Sequence, residues 1–301
     1  MLQLINEASY VLRWAFGTKF LHRKNPIIGV IITNNSCNLH CVYCPVTQFD
    51  PIVIAFDQVK KDIQTLYDNG VRMLTITGGE PLLWTDQEKH IEDVISYAKQ
   101  KGMYEIILCT NGTFPIHTKA EIVMISLDGT EEAHDTLDGK SYQLIMKNID
   151  ESDHDKIFIQ YTITKENQDI LEKTILELKQ HERIKGILFN IYIQFIGSPM
   201  KKYTHQEIED IVQRIIDLKK KYPDFITNSV SALHHLKKDD WKRPLWISQC
   251  IYNGEISPCC CRKEIVNQEI CSQCYLAACA ESYIIQNLEI NAVIEFLKKY
   301  Y

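Results

Sequence analysis

The chain has 301 residues, which is long enough to bury one large hydrophobic core or two modest ones. Hydrophobic residues make up 45% of it and charged residues 24%, as in an ordinary globular protein, and the formal net charge is −6. A net negative charge gives no general attraction to nucleic acid or anionic lipid, which disfavours a polyanion-binding function. We expect a monomer with no nucleic-acid partner.

The first 26 residues are predicted to contain an amphipathic helix. Asn6, Glu7 and Arg13 interrupt its apolar residues, so the segment resembles neither a secretory signal nor a membrane span. We expect the helix to cover one end of the domain that follows. In the alternative, it rests on a membrane surface and brings a lipid substrate close, which would add membrane association to a cytoplasmic protein.

Residues 27–196 alternate short β-rich runs with helical stretches, as the repeated βα units of a parallel sheet do. The runs are almost entirely apolar, which is typical of strands buried on both faces. They are residues 27–33, 71–77, 104–110, 121–127, 156–164 and 186–195. The link 111–120 is too short for a long helix and contains Pro115, so one covering helix is expected to be reduced. Right-handed crossovers would curl this α/β sheet toward a barrel.

After the βα units, a connecting helical segment is predicted over 197–240 and a small cysteine-rich domain over 241–301. The chain has eleven cysteines, of which three lie between 37 and 44 and seven between 250 and 279. In a reducing cytoplasm, clustered cysteines are more often metal ligands than disulfides. Cys109 stands alone in an apolar run and is interpreted as a small core residue.

The first cysteine loop, residues 37–44, follows the first predicted strand with the spacing Cys37-x3-Cys41-x2-Cys44. Three thiolates can bind three irons of a cubane and leave the fourth iron open for a substrate, as a catalytic zinc keeps one position open. The alternatives are a zinc site completed by His40 or a distant cysteine, and three free thiols. The spacing and the position after the first strand favour the iron-sulfur cluster.

A glycine turn, Gly78-Gly79-Glu80-Pro81, follows the second predicted strand. Glycine allows the backbone to approach a ligand closely, and a glutamate offers an acceptor for an ammonium group. The cysteine loop and this turn together resemble the cluster-binding and methionine-contacting motifs of the radical S-adenosylmethionine (radical SAM) superfamily. The resemblance implies a partial (β/α)6 parallel barrel, a [4Fe-4S] cluster and bound S-adenosylmethionine, whose amino group Glu80 and the glycine backbone would hold.

Two further strand ends carry polar residues at the same edge of the sheet: Thr110-Asn111 and Ser126-Leu127-Asp128. Both resemble positions where relatives contact the nucleoside, with Ser126 and Asp128 as ribose partners. The alternative is turn and helix-cap chemistry. Where relatives often carry an arginine this chain has Asp138, so no basic residue is assigned there.

The C-terminal cysteines suggest a second, closed metal site, for which residue chemistry alone slightly favours zinc. The pattern, with Gly254-x4-Cys259, resembles the SPASM and twitch extensions that carry auxiliary [4Fe-4S] clusters. Because only one cysteine follows the Cys-x2-Cys pair, one auxiliary cluster is expected. The predicted ligands are Cys250, Cys259, Cys271 and Cys274, with Cys260 or Cys261 able to replace Cys259 and Cys279 able to replace Cys274.

The resemblance implies an oxidoreductase whose first cluster is reduced by flavodoxin or ferredoxin. S-adenosylmethionine would be cleaved to methionine and a 5′-deoxyadenosyl radical, which abstracts hydrogen from a substrate. We expect the substrate to be a peptide or protein side chain, with a lipid or small metabolite as the alternative. The rival from another class is a non-catalytic zinc protein whose cysteines staple loops.

Overall fold

The computed structural model of the chain describes most of its length, with side chains from residue 7 onward. The described residues are 2–46, 49–198, 200–259, 262 and 264–289. Within them, one eight-stranded sheet dominates, in the linear order β10-β9-β1-β2-β5-β6-β7-β8. Its strands are β1 (Ile28–Ile32), β2 (Met73–Thr77), β5 (Glu105–Thr110), β6 (Ile122–Ser126), β7 (Ile157–Ile163), β8 (Ile184–Ile191), β9 (Ser248–Tyr252) and β10 (Glu255–Pro258), beside a hairpin of β3 (Thr85–Asp86) and β4 (Lys89–His90).

The sheet is an open, mostly parallel barrel wall. All six strands predicted from the sequence are present and each pairs in parallel with its neighbour. The last of them ends earlier than predicted, at Ile191 instead of residue 195, because its partner strand β7 ends at the paired residue Ile163. The partial barrel expected from the sequence is confirmed.

The C-terminal segment adds two strands to the same sheet. β9 lies parallel to β1, with Ile28 paired to Ser248 and Ile32 to Tyr252, and β10 returns antiparallel to β9. The sequence did not indicate this pairing. It attaches the cysteine-rich segment to the first strand, which leads into the first cysteine loop.

Helices cover the outer face of the sheet. They are α1 (Leu2–Leu21), α2 (Phe56–Asp68), α3 (Ile91–Lys101), α4 (Glu131–Asp138), α5 (Tyr142–Asp150), α6 (Leu171–Leu178), α7 (His205–Lys221), α8 (Val230–Lys238), α9 (Gln268–Ser272) and α10 (Ala277–Gln286). Ile63 and Leu66 of α2 pack with Leu74 of β2 in one of two buried apolar clusters. The link between β5 and β6 has no helix, as predicted, and runs as an irregular segment.

The N-terminal helix α1 covers the edge of the sheet where the parallel strands begin. The Tyr10 hydroxyl donates to the carbonyl of Gly70, just before β2, at 2.5 Å. The indole of Trp14 donates to the carbonyl of Asn25, before β1, at 2.8 Å. The opposite stripe of the helix, Leu12, Phe16 and Phe20, is exposed. In the described part of the chain, no helix is long and apolar enough to cross a membrane.

Candidate functional site

The motifs predicted from the sequence meet at the opposite edge, where the parallel strands end. The first cysteine loop follows β1, the glycine turn follows β2, Thr110 ends β5 and Ser126 ends β6. Because the carboxyl ends of parallel strands share one edge, these segments are neighbours although up to 90 residues separate them in sequence. Ligand sites of open α/β sheets lie at this edge.

The two glycines of the turn allow it to press against the chain that leads into the cysteine loop. A Cβ atom on Gly78 would lie 2.1 Å from Oδ1 of Asn34, and one on Gly79 would lie 2.3 Å from the carbonyl oxygen of Ser36. The Gly79 amide donates to the Asn34 carbonyl at 2.9 Å, and the Glu80 amide donates to the Ser36 carbonyl at 2.7 Å. The glycines are therefore required for contact between two backbones, which sets the start of the cysteine loop.

Glu80 is fully buried and accepts three hydrogen bonds through its carboxylate. The donors are the hydroxyl of Thr110 at 2.7 Å, the amide of Asn111 at 2.7 Å and the amide of Leu82 at 2.9 Å. Burial raises the pKa of this carboxyl, and the three donors oppose that effect. Glu80 thus joins the end of β2 to the end of β5 and caps the turn that begins at Pro81. Its contact with a substrate ammonium group remains a prediction.

Asn111 lies beside the first cysteine. Its side-chain amide donates to the sulfur of Cys37 at 3.7 Å and to Oδ1 of Asn38 at 2.9 Å. Asn38 in turn donates to the hydroxyl of Thr113 at 2.9 Å. The sequence predicted a nucleoside contact for Asn111. That contact remains a prediction, and the structure adds a hydrogen bond to the cysteine sulfur.

Asp128 fastens the other side of the loop. It is fully buried, and its carboxylate accepts from the hydroxyl of Tyr43 and, at 2.7 Å, from the amide of Thr162 on β7. Burial raises the pKa of Asp128 well above its ordinary value. Ser126, the other predicted ribose partner, is half-buried at the end of β6. Ribose binding by either residue stays a prediction, and the bond between Tyr43 and Asp128 was not expected.

The last turn of α4 forms the remaining wall. The amide of Val42 donates to the carbonyl of Leu137 at 3.0 Å, and the buried carboxyl of Asp138 contacts the Cys41 thiol. Burial raises the pKa of Asp138 to about 6 and is the largest of the effects that raise the pKa of Cys41. No motif indicated this contact, because it depends on how a helix end meets the loop.

His134 is a buried, neutral residue of the same wall. Its Nδ1 accepts from the amide of Asp128 at 3.1 Å, and its Nε2 lies 2.9 Å from the hydroxyl of Ser141. Burial lowers the pKa of His134 to about 4. The imidazole therefore supports the loop after β6 by hydrogen bonds in its neutral form.

The donor set of the first cysteine loop fits an iron-sulfur cluster with three thiolate ligands. The three cysteines lie in one loop, where the amide of Cys44 donates to the carbonyl of Cys41 at 3.1 Å. Among the described residues, no group of three or more acidic, histidine or cysteine side chains is already arranged as a metal site. Iron binding requires thiolates, whereas burial keeps the Cys37 and Cys41 thiols protonated, so assembly of a cluster would release protons and reorient the sulfurs.

A second group of cysteines lines a small apolar cavity between the end of β8 and the C-terminal segment. These cavity cysteines are Cys259, Cys271, Cys274 and Cys279. Three of the four predicted auxiliary ligands are thus brought together. The fourth, Cys250, is a buried residue of β9 and pairs with Val30 and Ser257. Cys260 and Cys261 lie outside the described residues.

Comparison with known proteins identifies the family. The sequence profile of the Radical SAM superfamily matches residues 31–178, which run from β1 to α6 and include the cysteine loop and the glycine turn. The chain belongs to the radical SAM superfamily, whose members carry a [4Fe-4S] cluster and use S-adenosylmethionine.

Two relatives bear the name probable GTP 3′,8-cyclase. The protein from Methanococcus maripaludis is 28% identical over 191 residues, which are 60% of this chain and 63% of that protein. The protein from Methanococcus vannielii is 26% identical over 250 residues, 76% of this chain and 82% of that protein. The chain thus spans a little under two thirds of the first relative.

Among solved structures, Streptococcus suis SuiB has the same fold. The crystal structure of SuiB bound to S-adenosylmethionine matches with a TM-score of 0.62 at 18% identity, over 78% of this chain and 60% of SuiB. The crystal structure of SuiB bound to its precursor peptide SuiA matches with a TM-score of 0.63 at 17% identity, over 85% of this chain and 64% of SuiB. At these identities the likeness concerns the fold.

Proposed function

We propose that this chain cleaves S-adenosylmethionine reductively and uses the 5′-deoxyadenosyl radical to abstract hydrogen from a substrate. The observation that carries the proposal is that Cys37, Cys41 and Cys44 lie in one loop, fastened by neighbouring strands at the ligand-binding edge of the sheet. A [4Fe-4S] cluster at this loop, bound by the three thiolates, would supply the electron and one open iron.

The rest of the site positions the reactants. Gly78 and Gly79 let the turn lie against the chain that leads into the cysteine loop, and Asn111 and Ser126, at the ends of the next strands, would contact the bound S-adenosylmethionine. The hydrogen bonds of Glu80 and Asp128 keep these strand ends in register with the loop. Close packing of such buried groups excludes water from a reactive intermediate.

We propose a small metabolite as the first candidate for the substrate, ahead of a peptide. The support is the name GTP 3′,8-cyclase carried by the relatives at 26–28% identity. A groove past the end of β8 is lined by Lys202 and Glu269 and by the rings of Tyr192, Tyr203 and Tyr275, and its lysine and aromatic rings could contact the phosphates and the base of a nucleotide. A peptide or protein side chain is the second candidate, since the C-terminal cysteine pattern resembles that of peptide-modifying relatives. A lipid is the third.

The proposed reaction also needs an electron donor and includes a second cluster. Flavodoxin or ferredoxin would supply the electron to the first cysteine loop. One auxiliary [4Fe-4S] cluster at the C-terminal cysteines would accept an electron from the substrate radical or orient the substrate. The cavity beside β8 supports this auxiliary cluster, because the cavity and the groove have Ile193 and Phe195 as common lining residues and are therefore adjacent.

The test is an anaerobic assay with S-adenosylmethionine and dithionite. We expect 5′-deoxyadenosine, detected by mass spectrometry, and faster formation with the true substrate. GTP is compared with ATP, with a peptide library and with phospholipid vesicles. We also expect about eight irons per chain, two cubanes' worth, and a visible spectrum that dithionite bleaches. Stoichiometric zinc with no 5′-deoxyadenosine would instead support the non-catalytic zinc protein.

A further inference from the structure

The N-terminal helix α1 carries an apolar stripe that points into solvent. Leu12, Phe16 and Phe20 of this stripe are 70%, 57% and 61% exposed. They are four residues apart, so they lie in one row along the helix, and the ring centroids of Phe16 and Phe20 are 4.9 Å apart. Trp14, which bonds to the start of the sheet, is two positions from Leu12 and from Phe16, and at about 100° per residue it lies on the opposite face. The stripe therefore points away from the sheet.

The helix α7 shows what the outer face of a covering helix ordinarily carries. On its solvent side Gln206 donates to Asp210 at 3.0 Å, and Gln213 donates to Asp217 at 3.1 Å, each across one turn. Polar pairs of this kind keep an outer face in water. The apolar stripe of α1 occupies the corresponding outer position. Apolar residues in a contiguous row, unlike scattered ones, mark a contact surface.

The charge around the stripe is opposite to that of the whole molecule. The segment 1–26 contains one acidic and four basic residues, the latter being Arg13, Lys19, Arg23 and Lys24. Its formal net charge is +3, so the rest of the chain carries −9. Within the part of the chain that the structure describes, none of the four basic residues forms a salt bridge. An apolar row bordered by unpaired cations is complementary to an anionic lipid surface.

The size of the stripe favours a lipid surface over a protein partner. Its three side chains offer about 300–400 Å² of apolar area, whereas a stable protein interface buries about 800 Å² on each partner. A bilayer requires no such area, because one helix inserts its apolar face among the acyl chains while anionic headgroups attract each nearby cation. Arg13 and Arg23 line one surface pocket together with Thr18. Two guanidinium groups beside a hydroxyl suit the phosphate of a lipid headgroup.

We propose that α1 docks the protein on an anionic lipid surface, with the apolar stripe inserted and the cations at the headgroups. The cysteine loop 37–44 then faces away from the lipid, since α1 covers the edge where the strands begin and the loop lies where they end. The strands β1 and β2 each have five residues, so about 17 Å of sheet separates the two edges. Docking therefore holds the protein at a membrane without bringing a lipid to the cysteine loop.

Flotation of the full-length protein with lipid vesicles tests the docking. Vesicles of phosphatidylcholine are compared with vesicles that also contain phosphatidylserine. We expect about 10–100-fold stronger binding to the anionic vesicles, and we expect high salt to remove this difference. Equal binding to both kinds of vesicle, or binding to neither, overturns the proposal. The assay contains no S-adenosylmethionine, so its result does not depend on the proposed reaction.

Serine variants identify the surface that binds. The stripe variant L12S/F16S/F20S is expected to bind anionic vesicles at least about 10-fold more weakly than the parent, because the inserted apolar area is lost. The matched control replaces three exposed apolar residues of other elements and is expected to bind as the parent does: L144S/L176S/I256S. Circular dichroism confirms that both variants are folded. Equal binding by the two variants overturns the proposal, as does a dimer that only the stripe variant loses, without vesicle binding by the parent.

The orientation is tested with two introduced cysteines and a maleimide that does not cross membranes. Phe20→Cys lies in the apolar stripe and is expected to react more slowly when anionic vesicles are present. Lys140→Cys is the control, because Lys140 is exposed and lies two residues after Asp138, whose carboxyl contacts the first cysteine loop. Its rate is expected to be unchanged, and peptide mapping by mass spectrometry separates both sites from the native cysteines. Vesicle protection at Lys140→Cys would contradict the orientation.

Discussion

The two cysteine sites of this molecule are held in different ways. The first cysteine loop is fastened by the protein itself: Tyr43 bonds to Asp128, Val42 to Leu137, and Asn111 to the sulfur of Cys37. The cavity cysteines instead surround a space lined by Trp241 and Arg243, whose buried Nε1 and Nη1 have no acceptor among the described residues. The first loop is therefore held by hydrogen bonds, whereas the second site is the one for which we propose a metal cluster.

This difference has a thermodynamic consequence. A loop held by hydrogen bonds keeps its backbone shape without a metal, while a segment that is ordered by a bound metal gains folding free energy when the metal binds. We therefore expect metal removal to loosen the segment 259–279 far more than the loop 37–44. Hydrogen exchange of the two segments in the metal-free protein measures this directly.

The largest expected effect separates the two sites by activity. Cys41→Ala should reduce formation of 5′-deoxyadenosine to the level of a reaction without enzyme, since the cluster that supplies the electron loses one of three ligands. Cys274→Ala should leave cleavage of S-adenosylmethionine within a few-fold of the parent and stop product formation. Mass spectrometry of 5′-deoxyadenosine and product gives both rates. Cleavage at an unchanged rate in the Cys41 variant would contradict the assignment.

The next effect tests the preorganisation of the first loop. Gly79→Ala should destabilise the protein by about 3 kcal/mol, because the new methyl group meets a backbone carbonyl at 2.3 Å that cannot rotate away. Urea unfolding measures the loss, and the iron content of the first site should fall with it. Gly17→Ala is the control: its Cβ would make an ordinary contact at 3.5 Å in a helix, so stability should be unchanged or slightly higher. Equal stability of the two variants would show that the glycine turn does not position the loop.

The fold was largely predictable from the sequence. Six apolar runs bounded by turns, with helices between them, specify a parallel sheet because only that arrangement buries both faces of each strand. The pairing of β9 with β1 was not predictable. It joins residues 220 positions apart in a segment whose cysteines and prolines obscure the strand pattern.

The site was predictable only where residue type and spacing carry the chemistry. The three cysteines and the glycine turn have such patterns. The hydrogen bonds around them do not: Glu80 was assigned to a ligand, and it is fully buried with three internal donors. The contact of Asp138 with Cys41 arises from the meeting of a helix end and a loop, which no local pattern encodes. Cys250 was predicted as a ligand and Cys279 as an alternative to Cys274, whereas tertiary structure places Cys279 on the cavity with Cys274 and Cys250 within β9.

A smaller effect concerns the electronic properties of the first site. A hydrogen bond to a ligating sulfur stabilises the more negative, reduced form of a cluster and raises its potential. Asn111→Ala should therefore make the midpoint potential of the first cluster more negative, as measured by redox titration with electron paramagnetic resonance. Thr113→Val is the control, since it removes the hydroxyl that Asn38 contacts and leaves the amide at the Cys37 sulfur. A potential that shifts equally in both variants would attribute the effect to the loop as a whole.

The smallest expected effect is the pH dependence of stability at two histidines. His134 lies beside the first cysteine loop, and His235 lies near the C-terminal segment. Burial lowers the pKa of His134 to about 4, so the folded protein holds it neutral while the unfolded chain takes a proton near pH 6.5. Stability linked to His134 is therefore present above pH 6.5 and is lost as the pH falls toward 4. Near the C-terminal segment, burial tends to lower the pKa of His235, but its hydrogen bonds with Asp240 and Glu289 outweigh burial and raise it. Stability linked to His235 is present below pH 6.5 and is lost as the pH rises through the folded pKa.

These opposite signs are measured by urea unfolding at pH 7.5 and pH 5.5. One buried neutral histidine should cost about 1.4 kcal/mol at the lower pH, so His134→Gln should abolish a loss of about that size. His235→Gln should instead enlarge the net loss on acidification, because it removes a group that gains stability there. The quantity compared is the change in the free energy of unfolding between the two pH values. The free energy at a single pH is not compared, because glutamine also changes the hydrogen bonds of each site. If both variants shift this difference in the same direction, the two regions do not have the opposite histidine environments that the structure gives them.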